Sequence, residues 1–115
     1  MHARDKGCIQ RILEGEPVLS SEKVRFDVNI GGTLNKGRVI CTRTRLLLYM
    51  RTPMGMQATV VWYKEVECLT SGRKGGLHYA QLLGQGSRIL VLFKSRKVRD
   101  SFKNLCAAHM SGAVT

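Results

Sequence analysis

Three histidines, eight acids and four cysteines are the side chains from which this 115-residue chain would have to build a catalytic centre. Catalysis needs a nucleophile beside a base, paired carboxylates or a set of metal ligands. His2 lies in the polar N-terminal stretch, His78 in a predicted strand, and His109 on the predicted inner face of a C-terminal helix. The acids form two i,i+2 pairs, Glu14/Glu16 and Glu65/Glu67, without a histidine or cysteine companion in sequence. No phosphate-cradling G-x-x-x-x-G-K-S/T or G-x-G-x-x-G is present, and "GQGS" is too short and precedes a strand rather than a helix. Cys8, Cys41, Cys68 and Cys106 include no CxxC pair and match no zinc framework. Three of them sit in apolar runs, where a reduced thiol packs as a small core residue. The expectation is a non-catalytic chain without metal or cofactor.

The remaining chemistry is cationic. The formal net charge is +11. Residues 1–35 balance five Lys/Arg against five Asp/Glu, so the excess belongs to residues 36–115, where fourteen Lys/Arg face only Glu65, Glu67 and Asp100. Such a field attracts phosphates, anionic lipid headgroups, acidic peptides or nucleic acid. Nucleic acid is the weaker expectation, because 6% aromatic content leaves few stacking platforms and no helix-turn-helix, zinc-finger or RNP motif occurs.

The elements that must position these charges follow from hydropathy. With 43% hydrophobic and 23% charged residues, the composition is that of a globular domain. The longest apolar runs, such as "ILVLF", fall far short of the roughly 20 residues of a membrane span, and no export signal is visible after Met1. An intracellular domain is expected. "CIQRIL" suits a short helix with Cys8, Ile9, Ile12 and Leu13 on one side, stopped by Gly15 and Pro17. From Lys23 the period becomes two, with Val24, Phe26, Val28 and Ile30 facing one way and Lys23, Arg25, Asp27 and Asn29 the other. Further strands are predicted near Lys36–Thr42, Arg45–Met50, Ala58–Tyr63, Val66–Thr70, Leu77–Leu83 and Arg88–Lys94. They are separated by the loops "GGTLNKG", "RTPMGMQ", "SGRKGG" and "GQGS". The ending changes period again: Val98, Phe102, Leu105, Cys106 and His109/Met110 share one helical face, with Ser95 as N-cap and Gly112 as stop.

Seven antiparallel strands and one C-terminal amphipathic helix is the element order of the pleckstrin-homology (PH) superfold. "GRVICTRTRLLLYM" resembles the strand 2–strand 3 hairpin of GRAM-type domains through Gly37, Thr42, Arg45 and Tyr49. "VVWYKEVECL" is similar to strands 4 and 5, and "ILVLFKSRKVRDSFKNL" to the last strand and capping helix. "KVRF", a Gly-rich turn and "GRKGG" also resemble the N-terminal domain of the large TFIIH core subunit. The resemblance implies a mostly β, PH-like seven-stranded antiparallel bent sandwich or barrel over residues 18–110. Its open end would be plugged by the helix, with an N-terminal extension at 1–17 and a tail at 111–115.

It also implies an interaction module. Phosphoinositide-binding PH domains carry a Lys in strand 1 and a basic-x-Arg after the following loop. Lys23, Arg25, Lys36 and Arg38 fit that loose pattern, with Arg43 and Arg45 nearby at strand ends where guanidiniums reach water. A TFIIH-like module would instead hold an acidic protein segment. Arg73 and Lys74 in "GRKGG" and Lys94, Arg96, Lys97 and Arg99 around the helix start are the candidates for it. Cations at a helix N-terminus oppose its dipole, and Asp100 offsets this by pairing with Arg96. A scaffold role within a larger assembly is the further alternative. The implied location is cytoplasmic or at the membrane periphery in the lipid case, and nuclear in the TFIIH-like case.

Overall fold

The computed structural model describes residues 3–29, 31–84, 86–110 and 113–114. Helix α1 (Ala3–Ile12) precedes seven strands: β1 (Ser20–Val28), β2 (Asn35–Cys41), β3 (Arg45–Thr52), β4 (Gly55–Trp62), β5 (Cys68–Lys74), β6 (Leu77–Gly84) and β7 (Ser87–Phe93). A single 3-10 turn, Tyr63–Glu65, joins β4 to β5. Helix α2 (Arg96–His109) follows, and β8 (Ala113–Val114) ends the described chain. The strand order is β4-β3-β2-β1-β7-β6-β5-β8, antiparallel throughout except that β8 adds to β5 in parallel.

All seven predicted strands are present, and two predicted loops are mostly strand. "RTPMGMQ" reduces to the turn Pro53-Met54, and "SGRKGG" to Gly75-Gly76, so Arg73 and Lys74 belong to β5. Both glycines take positive φ (57° and 82°), as a two-residue hairpin turn matched to the twist of its strands demands. The stretch expected as a tail at 111–115 contributes β8. The predicted stop Gly112, together with Ile30 and His2, lies outside the described residues.

The inner faces of the bent sheet enclose the main core, with Val24, Val39, Leu46, Leu69, Val91 and Phe93 among its buried members. α2 closes one end of it. Ser95 caps the helix by accepting from the Val98 amide at 3.4 Å. The inward stripe is led by Phe102, which meets Phe93 with ring centroids 5.1 Å apart, and by fully buried Cys106. Burying a side chain such as Phe102 contributes on the order of 2–3 kcal/mol. His109 does not sit inside as expected. It is exposed and stacks on buried Tyr63 at 5.8 Å, while the Tyr63 hydroxyl donates to the Thr42 carbonyl at 2.9 Å.

A second, smaller core forms on the outer face, where Ile9 and Leu13 of the α1 segment pack on Ile40, Leu47 and Tyr49. The sheet is also uneven. β1 pairs with β2 from Ser20 to Phe26 but with β7 only from Arg25 to Val28. By the same register Val24 stands opposite Phe93, the last residue of β7, so four residues of β1, Ser20–Lys23, overhang its end.

Candidate functional site

Lys23 stands opposite Arg38, and Arg25 opposite Lys36, in the β1–β2 register. Residues two apart on a strand share a face, so the four cations form a two-by-two block. They lie on the outer face, since Arg38 and Ile40 share it and Ile40 packs beneath α1. Like charges directly opposite one another destabilise a sheet. Lys23, Arg25 and Lys36 are exposed and Arg38 half-buried, and among the described residues no ion pair reaches any of them. Arg38 donates to the Ser21 hydroxyl at 3.1 Å, which fixes its guanidinium without neutralising it.

Gly37, between Lys36 and Arg38, makes this placement sterically feasible. A Cβ there would meet the Phe26 ring at 2.8 Å and approach the Tyr49 carbonyl oxygen more closely still. β2 can lie this close to Tyr49 and Phe26 only because that atom is missing.

The overhang of β1 opens a groove of about 1070 Å³ between β1–β2 and the junction of β7 with α2. The cationic block lines one wall, with Arg51 beside it, and Lys94, Ser95 and Gly75 line the other. Val24, Leu77, Phe93 and Val98 supply apolar lining. Two clusters read separately in the sequence thus border one groove, through Lys23, Arg25, Lys36 and Arg38 on one side and Lys94 on the other. Lys74 adjoins it at the β5–β6 tip, next to Gly75. Arg43, exposed in the β2–β3 turn, and Arg73, Arg96 and Lys97, exposed on β5 and α2, are not among the lining residues.

Two expected site residues are structural. Arg45 was expected to reach water at a strand end; it is 5% exposed beneath the α1 segment. Its guanidinium donates to the Ile12 carbonyl at 2.8 Å, pairs with Glu16 at 3.1 Å and Glu14 at 3.4 Å, and lies 4.0 Å from the Trp62 ring centroid. The hydrogen bond from Thr44, then those from Thr42 and Arg45, hold the Glu16 carboxyl below its ordinary range against partial desolvation. Arg99 was expected on the polar face of the helix; it is 9% exposed and donates to the Gly72 carbonyl at 2.7 Å. Its bond to Asp100 at 2.7 Å is the main reason that carboxyl titrates low, and Arg96 adds the expected i,i+4 pair at 3.7 Å.

The β1–β2 loop also departs from expectation. Asp27, predicted to face solvent, is 5% exposed, and its carboxylate accepts from the amides of Gly31 and Gly32 at 2.9 Å each. Backbone N–H groups of this kind form an anion cradle, and here an internal carboxylate fills it.

Cys41 and Cys106 are buried, Cys8 and Cys68 half-buried, and all four thiols are free. Burial pushes the Cys41 thiol up to about 12 and raises Cys106 and the Tyr63 hydroxyl as well. Among the described residues no group of three or more His, Cys, Asp or Glu side chains is placed to hold a metal, and no helix is long and apolar enough to cross a membrane.

A sandwich of seven antiparallel strands closed at one end by a C-terminal helix is shared with solved structures that contain PH domains. The chain has a PH-like fold. It superposes on a structure of the Vav1 exchange factor containing its PH and C1 domains with a TM-score of 0.64 at 11% identity, over 82% of this chain and 26% of that one. For the linker-DH/PH domains of p115-RhoGEF the TM-score is 0.58 at 10% identity, over 82% and 29% of the two chains. The C-terminal domain of a Leishmania infantum protein of unknown function gives 0.67 at 14% identity, over 90% and 98%. This PH-like chain therefore spans about a third or less of the exchange-factor chains it matches. No protein-family model matches the sequence, and no curated protein matches it.

The groove differs from the site expected from sequence in what it adds. Arg51, the apolar lining and the overhanging β1 edge were not legible as site elements. Relative strand lengths and the meeting of β7 with α2 depend on contacts distant in sequence.

Proposed function

We propose that this chain is a non-catalytic, intracellular PH-like interaction module that docks an anionic partner on the outer face of β1 and β2. The observation that carries the reading is the two-by-two block of Lys23, Arg38, Arg25 and Lys36, because opposed like charges without internal counter-ions disfavour folding yet suit an external anion. An acidic protein segment fits better than a phosphoinositide headgroup. The loop amides that would otherwise receive a phosphate already hold the Asp27 carboxylate, and the groove combines cations with apolar surface.

The lipid reading has one observation in its favour. Leu34 and Met54, 45% and 97% exposed, occupy the β1–β2 loop and the β3–β4 turn, and Leu34 lies two residues from exposed Lys36. Apolar loop residues flanked by cations suit an anionic membrane surface.

The test is a titration of isotope-labelled protein with an acidic peptide and, separately, with phosphoinositide-containing vesicles, at physiological salt and above it. Binding that weakens with salt and falls about tenfold or more in a Lys36→Glu/Arg38→Glu double variant is expected. A protein that binds neither probe, or whose binding ignores the double variant, rules the reading out.

A further inference from the structure

The part of β1 that overhangs β7 leaves a strand edge inside the groove. We propose that an extended segment of a partner protein, with acidic and apolar side chains in alternation, adds there as a strand. The proposal rests on the anion-docking reading above and names the kind of partner.

The backbone carries the first half of the argument. β2 covers one side of β1 from Ser20 to Phe26, while β7 covers the other only from Arg25 to Val28. The Asn29 amide donates to the Arg88 carbonyl, so the backbone groups of Asn29, Asp27 and Arg25 face β7. By the same alternation those of Lys23 and Ser21 face that side, beyond the point where β7 ends at Phe93. Among the described residues no backbone group pairs with them there. Consecutive residues Ser21–Arg25 line the groove. Four residues of edge, Ser20–Lys23, at roughly 3.3 Å each offer about 13 Å of pairing surface.

The side chains carry the second half. An added strand would turn every other side chain toward the outer face, beside Lys23 and Arg25 with Arg38 and Lys36 behind them. The intervening side chains would turn toward Val24, Phe93 and Val98. Glu22, half-buried on that inner side, disfavours a carboxylate there. Acid on one face and apolar on the other is therefore the pattern this edge accepts. Among the described residues the aromatics lining the groove are Tyr49 and Phe93, and both are buried, so neither offers a platform for stacking the bases of a single-stranded nucleic acid.

The experiment uses the full chain and the synthetic peptide Asp-Val-Asp-Ile-Asp-Val-Asp, read by amide spectra and hydrogen exchange. Saturable shifts over Ser21–Arg25, with new exchange protection of the Lys23 amide, are expected. An isomer with the same residues sorted into one acidic and one apolar block should bind about tenfold more weakly. N-methylation of the peptide bonds along one edge should weaken binding about tenfold, and along the other edge should not. If the block isomer binds equally, or methylation of neither edge matters while Lys36 and Arg38 still shift, strand addition is wrong and anion docking stands. Binding to phosphoinositide vesicles alone overturns strand addition and assigns the face to lipid. Failure of peptides and vesicles alike removes both readings.

Discussion

Arg45 and Arg51 stand six residues apart on one face of β3 and hold opposite ends of the α1 segment. Arg51 donates to both carboxylate oxygens of buried Asp5, at 2.7 and 2.8 Å, in the first turn of the helix. Arg45 takes the Ile12 carbonyl, Glu14 and Glu16 at the other end. Between them on the same face lie Leu47 and Tyr49, which pack against Ile9 and Leu13. The alternation Arg-x-Leu-x-Tyr-x-Arg is thus a docking strip for the chain's own N-terminal helix.

Replacing Arg45 with Ala should destabilise the fold by about 3 kcal/mol, because it strips the Ile12 carbonyl and Glu16 of their shared partner and uncovers Trp62. Arg45→Lys should recover only part of this, since an ammonium cannot span the same acceptors in a plane. Urea unfolding of the three proteins measures it. An Ala variant as stable as the parent would show that α1 docks without this clasp.

Glu16 gives the fold an acid-sensitive contact. Its carboxyl titrates lower in the folded chain than in the unfolded one, so its contribution is fully present above the unfolded value and is lost as pH falls through the folded one. Across about pH 5 to pH 3 the stability gap between the parent and Glu16→Gln should therefore shrink. Denaturation midpoints measured through that range check the sign. A gap that widens on acidification would contradict the lowered titration.

Gly37→Ala should cost about 2 kcal/mol or more, as the new methyl would press on the Tyr49 carbonyl and the Phe26 ring. Gly7→Ala serves as the comparison, because a Cβ there meets nothing within 4 Å. Equal stabilities for the two variants would mean that β2 has room to relax.

Lys23→Glu turns an opposed like-charge pair with Arg38 into an opposite-charge pair. The folded state should gain about 0.5 kcal/mol while affinity for an acidic peptide falls. Urea midpoints and peptide titrations on the same samples separate the two effects. A variant that loses stability and affinity together would point to Lys23 as a packing residue.

Much of this was readable from local pattern. Period-two hydropathy located β1, short apolar stretches between turn-rich loops located the other six strands, and the stripe from Val98 to Cys106 located α2, because these signals need only neighbours in sequence. The cationic block was readable too: two cations spaced by two on each of two strands must share a face once the hairpin forms. Arg45 and Arg99 misled because an arginine at a strand end or in the first turn of a helix ordinarily faces water. Each was instead drawn inward by acceptors 27 or more positions away in the chain, Ile12 for Arg45 and Gly72 for Arg99. Asp27 misled because its burial depends on two loop amides that present themselves only after the turn closes.

The sequence by itself determined the element order, the core stripes, the excess of positive charge and the lack of a recognisable catalytic motif, since each follows from residue type and short-range spacing. Only the tertiary structure decided which arginines remain available to an anion. It also decided that β1 outruns β7 and that Lys94 joins Lys23 around one groove. Those outcomes depend on how far two strands pair and where a helix leaves the sheet, and both are set by packing between residues separated by most of the chain.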